Sequence, residues 1–148
     1  MATTAAKDAG LRAAAGRLES DLETILAANV DDVARAEANG IPTGIVDRLR
    51  LNEGRVSAMA SGLRQVADLP DPVGAVSAEW SRPNGLRMSK VRVPLGVVAI
   101  IYENRPNVTS DAFGLCLKSG NVAFLRGSSG ALSSNLAVAS SIRVVRSE

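Results

Sequence analysis

Two apolar runs fix what this chain can become. "LGVVAIIY", residues 95–102, and "NVAFLRG", residues 121–127, are nearly continuous and hydrophobic. Each is far shorter than the roughly 20 residues of a membrane helix. Short, nearly continuous in apolar residues and lacking a polar face of helical period, each reads as a strand buried on both faces. Between them lies "NVTSDAFGLCLKSG", residues 107–120, in which Ala112, Phe113, Cys116 and Leu117 share one side of a helix and Leu115 adds apolar bulk. Asn107 is the expected cap, Asp111 suits the positive end of the helix dipole, and Lys118 with Gly120 marks the exit. Two strands joined through a helix imply a right-handed parallel crossover. After a loop of small residues, "SSGALSSNLAVASSIRVV" predicts a second helix.

The segments before this unit behave differently. Leu18, Leu22, Ile25 and Leu26 recur at helical spacing, and "ANVDDVARAEANG" reads as a further short helix closed by Asn39-Gly40. A third piece starts near Pro42-Thr43. Asn52 is placed to cap a longer helix with a stripe of Val56, Met59, Leu63 and Val66, stopped by Pro70 and Pro72. Alternation then takes over in "VGAVSAEWSRPNGLRMSKVRV". Asn84-Gly85 signals a type I′ hairpin turn, and the pattern slips between Met88 and Val91, where a bulge is expected. Arg82, Arg87, Lys90 and Arg92 make the ribbon basic, but no aromatic residues interleave with them, so it reads as a solvated face or a subunit contact and not as a nucleic-acid ribbon. The division expected is a helical region, 1–75, and a hairpin plus the start of an α/β domain, 76–148, together forming one truncated domain.

Composition narrows the chemistry. The chain has 148 residues, 46% of them hydrophobic and only 3% aromatic, so its core must come from Ala, Val, Leu and Ile. A net charge of +2 gives no electrostatic reason to expect nucleic acid. With no histidine and a single cysteine, neither a Ser-His-Asp nor a Cys-His pair can be built within the chain, and a zinc site or disulfide framework is not expected. The N-terminal "MATTAAKDAGLRAAAG" lacks an apolar signal core, so a soluble cytoplasmic protein is expected, with no membrane partner. Cys116 sits mid-helix on an apolar face, away from the positive end and with no histidine to activate it. It reads as a buried thiol acting as a small hydrophobe.

Two loops carry candidate chemistry. Ligands of open α/β sheets bind at the carboxyl ends of strands. Asn104, in "YENRPN", stands there, where its amide could donate to a developing oxyanion; it reads equally well as a turn former ahead of Pro106. "RGSSG", Arg126 to Gly130, could turn backbone amides and a fixed positive charge toward a phosphate, or could be an ordinary capped loop. No G-x-G-x-x-G fingerprint follows either strand.

The stretch "VPLGVVAIIYENRPNVTSDAFGLCLKSGNVAFLRG" closely resembles the γ-glutamyl phosphate reductase family, also called glutamate-5-semialdehyde dehydrogenase. "ILAANVDDVARAEANGIPTGIVDRLRLNEGRVSAMASGLRQVADLPDPVG" resembles its N-terminal helices, and "RPNGLRMSKVRVPLGVV" its hairpin and following strand. The likeness runs over nearly the whole chain and fades only in "ASSIRVVRSE". It implies an aldehyde-dehydrogenase-like, Rossmann-type α/β fold, here N-terminal helices, a β-hairpin and an incomplete β-α-β-α. It also implies NADPH-dependent reduction of L-glutamyl 5-phosphate to L-glutamate 5-semialdehyde and phosphate in proline biosynthesis.

Residue by residue, the resemblance makes Asn104 the strand-end asparagine that stabilises the thiohemiacetal oxyanion. It puts Ile100, Ile101 and Tyr102 beside the nicotinamide ribose and Arg126 at the adenosine ribose. Ser128 and Ser129 stand where NAD-preferring relatives often carry an acid, which favours NADPH. The family's nucleophilic cysteine lies far downstream, and Cys116 falls on the "LCLKSGN" helix instead. No metal is implied, and a homo-oligomer is left open. Without the remaining dinucleotide-binding strands, the cysteine-bearing domain and the oligomerisation segment, the chain is expected to be an N-terminal piece of the enzyme, from a truncated reading frame or an interrupted gene model. Alone it is expected to be inactive and prone to aggregate. The alternative is a non-catalytic nucleotide-binding or subunit-interaction module.

Overall fold

The computed structural model describes residues 2–143. Four helices come first: α1 (Thr4–Ser20), α2 (Leu22–Ala38), α3 (Thr43–Leu49) and α4 (Glu53–Asp68). The hydroxyl of Thr3 caps α1 by accepting from the Ala6 amide at 3.2 Å, and the Asn52 side chain caps α4 by accepting from the Arg55 amide at 2.8 Å. The stripe through Leu18, Leu22, Ile25 and Leu26 does not belong to one helix. The chain breaks at Asp21, so Leu18 ends α1 while the other three open α2. "ANVDDVARAEANG" is correspondingly the second half of α2, which stops at Ala38 ahead of Gly40 with φ +66°. A positive φ there suits glycine, which lacks the Cβ that would clash. The break at 21 leaves no Gly or Pro signal, which is why periodicity alone runs through it.

The helices share a core with the C-terminal half. Leu11, Leu18, Ile25, Val56 and Leu63 pack in one cluster with Val138 and Ile142 of the last helix, α6 (Leu132–Arg143). Burying each large aliphatic side chain contributes about 1.5–3 kcal/mol. Helix α5 (Asn107–Lys118) crosses α4 so closely that a Cβ on Gly114 would lie 2.7 Å from Leu63 Cδ2. Two buried lysines tie the layer together. Lys7 pairs with Asp71 at 2.5 Å and donates to the Lys118 carbonyl at 3.1 Å. Lys118 pairs with Asp8 at 2.5 Å and donates to the Ala67 carbonyl at 2.9 Å. Lys118 therefore does more than mark the exit of α5, which Gly120 completes with φ +75°.

Strands β1 (Val76–Ser81) and β2 (Arg87–Val91) form an antiparallel hairpin, and β3 (Val97–Ile101) and β4 (Val122–Arg126) form a separate parallel pair joined through α5. The hairpin corrects two expectations. The Gly85 amide donates to the Arg82 carbonyl at 2.9 Å, and only Gly85 of the turn has positive φ, at +86°. Pro83 presets the second turn residue and Gly85 absorbs the left-handed one, giving a type I turn with a glycine bulge and not type I′. The other irregularity lies on β1, between Val76 and Ala78 opposite Val91 and Lys90, and not within β2. The extra residue that shifts the register is thus Ser77.

Two further corrections concern the crossover. Pro106 occupies the N-cap position of α5 with φ −58°, so Asn107 is already helical and its amide donates to Asp111 at 3.1 Å instead of capping. The strands are not buried on both faces. Val98, Ile100, Ala123 and Leu125 are half-buried, whereas Val97, Ile101, Val122 and Phe124 are 69%, 77%, 63% and 64% exposed. Among the described residues the pair has helices over one face only. The expected run of the last helix through Val144 and Val145 lies outside the described residues.

Candidate functional site

Parallel pairing in register brings the carboxyl ends of β3 and β4 together, with Ile101 opposite Arg126. The Tyr102 amide donates to the Arg126 carbonyl at 3.1 Å and extends the ladder by one step. The two loops singled out in the sequence then touch. The Ser128 hydroxyl donates to Asn104 Oδ1, and a Cβ on Gly130 would lie 2.8 Å from that same oxygen. With its oxygen engaged, Asn104 keeps its amide nitrogen as the donor available to a ligand. Ser128 thus meets Asn104 directly, a contact that sequence reading misses because the residues lie on separate loops.

Behind this contact runs a buried polar chain. The Tyr102 hydroxyl and Thr109 Oγ1 lie 2.7 Å apart, and Thr109 Oγ1 donates to Asn135 Oδ1 at 3.2 Å. Asn135 Nδ2 is buried with no hydrogen-bond partner among the described residues, and it packs where a Cβ on Gly127 would sit. Gly127 and Gly130 are therefore needed for close approach by two asparagines.

The first turn of α6 is held from outside. Asp32 is fully buried, and its Oδ2 accepts from the Ser134 amide and the Ser134 hydroxyl, each at 2.7 Å. Asn29 donates to Ser134 Oγ and to the Leu49 carbonyl, both at 2.9 Å, and accepts from the Leu51 amide at 2.7 Å. A carboxylate of the protein's own thus occupies the positive end of α6, where an incoming anion would otherwise bind. The loop before α6 follows directly on Arg126, the last residue of β4. Arg126 is exposed and has no ion-pair partner among the described residues.

The remaining candidates divide. Ser129 is exposed at the start of a short 3₁₀ turn, Ser129–Ala131, close in sequence to Arg126. Ile100 and Ile101 point to opposite faces of the strand, Ile100 half-buried on the α5 side and Ile101 on the open side with Arg126. Cys116 is buried in α5, and desolvation pushes its thiol pKa up, the reverse of what a nucleophile needs. No cluster of His, Cys, Asp and Glu among the described residues could hold a metal ion. No described helix is long and apolar enough to cross a membrane.

Arg126, two serines and two glycines thus stand together at the carboxyl ends of parallel strands, where open α/β sheets bind ligands. Comparison with known proteins shows what the chain is similar to. No family model matches the chain. Gamma-glutamyl phosphate reductase of Parvibaculum lavamentivorans is 55% identical over 142 residues, covering 96% of this chain and 34% of that protein. The enzyme of the same name from Thermoanaerobacter sp. strain X514 is 54% identical over 134 residues, covering 90% and 32%. The crystal structure of gamma-glutamyl phosphate reductase from Thermotoga maritima superposes with a TM-score of 0.90 at 46% identity, over 96% of this chain and 34% of that one. The Saccharomyces cerevisiae structure of the same name gives 0.89 at 30% identity. The chain is homologous to the N-terminal portion of γ-glutamyl phosphate reductases, and it spans about a third of the length of the relatives it matches. Its fold is the helices, hairpin and incomplete α/β unit of that portion.

Proposed function

We propose that this chain is the opening portion of an NADPH-dependent enzyme of the aldehyde-dehydrogenase type that reduces L-glutamyl 5-phosphate to L-glutamate 5-semialdehyde and phosphate in cytoplasmic proline biosynthesis. Residues 1–75 form its helical flank, and 76–148 supply the hairpin and the start of the cofactor domain. The observation that carries this reading is the match in sequence and backbone over nearly the whole chain to proteins of that name. The site supports it. Arg126 and Ser129 would hold the adenosine ribose and its 2′-phosphate, with Ile101 and Tyr102 nearer the nicotinamide end and Ile100 backing them from the α5 face. When bound, the dinucleotide supplies hydride. Asn104 donates its amide N–H to the oxygen that gains negative charge as the acyl carbon becomes tetrahedral, a role worth several kcal/mol in a dry site. Ser128 keeps the asparagine oxygen turned away, so the donor faces the substrate.

On this reading Cys116, buried and with its thiol pKa raised, is not the nucleophile, which would belong to the portion of the relatives that this chain does not span. If this polypeptide acts by itself, it is a nucleotide-binding module that needs a cysteine-bearing partner; co-purification with such a partner would favour that second reading. The cofactor assignment is tested in the chain joined to the catalytic remainder of a relative. Arg126→Ala should weaken NADPH about tenfold or more and NADH much less, since it removes a charge-assisted contact to the 2′-phosphate. Equal losses for both cofactors would overturn the assignment.

A further inference from the structure

A cleft opens beside the loop between β3 and α5. Asn104 is followed by Arg105, and Arg105 lines this cleft of about 460 Å³ between α3–α4 and the first turns of α5. Its size falls within the range of small-molecule sites. Leu51 and Met59 contribute apolar wall, and Asp47, Arg48, Arg55 and Asp111 join Arg105 as the charges. Arg55 is already committed: it pairs with Asp47 at 3.1 Å and donates to the Asp47 and Arg50 carbonyls. Arg48, Arg105 and Asp111 have no ion-pair partner among the described residues. Among the described residues, Asp111 accepts a side-chain hydrogen bond from the amide of Asn107 at 3.1 Å. Asp111 is exposed at the cleft, and partial desolvation raises its carboxyl pKa against that hydrogen bond.

Two unpaired guanidinium groups and one unpaired carboxylate around a partly apolar cleft match a short, zwitterionic ligand. We infer that this cleft binds the amino-acid end of the substrate, Arg48 and Arg105 taking its α-carboxylate and Asp111 its α-ammonium. The inference rests on the functional reading above and assigns the substrate's orientation within it. The reacting carbon then lies toward Asn104, one residue from Arg105. A phosphate dianion is a poorer fit, because Asp111 would repel it, whereas an ammonium next to a carboxylate satisfies all three groups.

The test uses the chain joined to the catalytic remainder of a relative, assayed as phosphate-dependent reduction of NADP⁺. Arg48→Met, Arg105→Met and the isosteric Asp111→Asn should each raise KM for L-glutamate 5-semialdehyde about tenfold or more. They should leave kcat within about twofold and KM for NADP⁺ and phosphate unchanged, because they remove uniform binding. With butanal, which lacks both α-groups, the variants should match the parent. Unchanged KM for the semialdehyde, an equal loss with butanal, or a rise in KM for phosphate instead would overturn the inference while leaving the activity standing. A parent without phosphate-dependent activity would overturn the functional reading and this inference with it.

Discussion

The helical layer and the parallel pair are built from the same aliphatic residues, yet they end in opposite states. Leu11 and Leu18 are wholly buried and Leu63 is 1% exposed, whereas Ile101 of β3 and Phe124 of β4 are 77% and 64% exposed. The difference is one of closure. A helix satisfies its own backbone and needs only one stripe covered, which α1, α4, α5 and α6 do for one another. A parallel strand needs neighbours on both edges and cover on both faces. Here β3 and β4 have each other and helices on one side. The strands are apolar on both faces, as suits strands of a larger sheet, and the residues of the proposed site, Asn104 and Arg126, stand at their carboxyl ends.

This contrast can be broken most forcefully in the helices. Leu63→Ala should cost about 2–5 kcal/mol in denaturant unfolding, because it opens a cavity in a closed core. Gly114→Ala, which forces a methyl group against Leu63, should cost about 1–3 kcal/mol. Next comes Asp32→Ala. It leaves the Ser134 amide buried without an acceptor, should cost about 1–3 kcal/mol, and should raise proteolysis around residues 128–135.

Acid should also act on the helical layer. Hydrogen bonds from Lys7, Thr4 and the Val73 amide hold the Asp71 carboxyl far below its usual range. A carboxyl depressed on folding contributes stability that is present above its unfolded pKa, about 3.9, and lost as pH falls toward the folded value. Stability should therefore decline below about pH 4, and Asp71→Asn should flatten that decline in thermal melts taken across pH. The smallest effect is expected on the open face. Phe124→Ser should change unfolding free energy by no more than about 0.5 kcal/mol. It should still reduce self-association measured by light scattering, because it removes part of an exposed apolar patch. A large loss of stability would mean that this face is already covered.

What the sequence made legible follows from range. Local chemistry was readable. Asn52 caps α4, Pro70 and Pro72 lie just past its end, and Gly40 and Gly120 close helices with positive φ. The parallel pairing of 97–101 with 122–126 followed from two apolar runs flanking a helix. Errors arose where two local signals competed. Asn107 resembles a cap, but Pro106 starts the helix first. Asn84-Gly85 resembles a type I′ turn, but Pro83 dictates type I. The site was half legible. Asn104 and Ser128 could each be named, yet their contact depends on the fold. Asp32 gave no signal, because its partner Ser134 lies 102 residues away on another helix.

The claim that this chain carries the cofactor side of the enzyme and not its nucleophile turns on Cys116. The most direct measurement is phosphate-dependent NADP⁺ reduction by L-glutamate 5-semialdehyde, for the chain alone and joined to the catalytic remainder of a relative, each with and without Cys116→Ala. The account predicts no turnover for the chain alone and turnover for the joined protein that survives Cys116→Ala at close to the parent rate. Turnover by the chain alone that disappears in Cys116→Ala would contradict it.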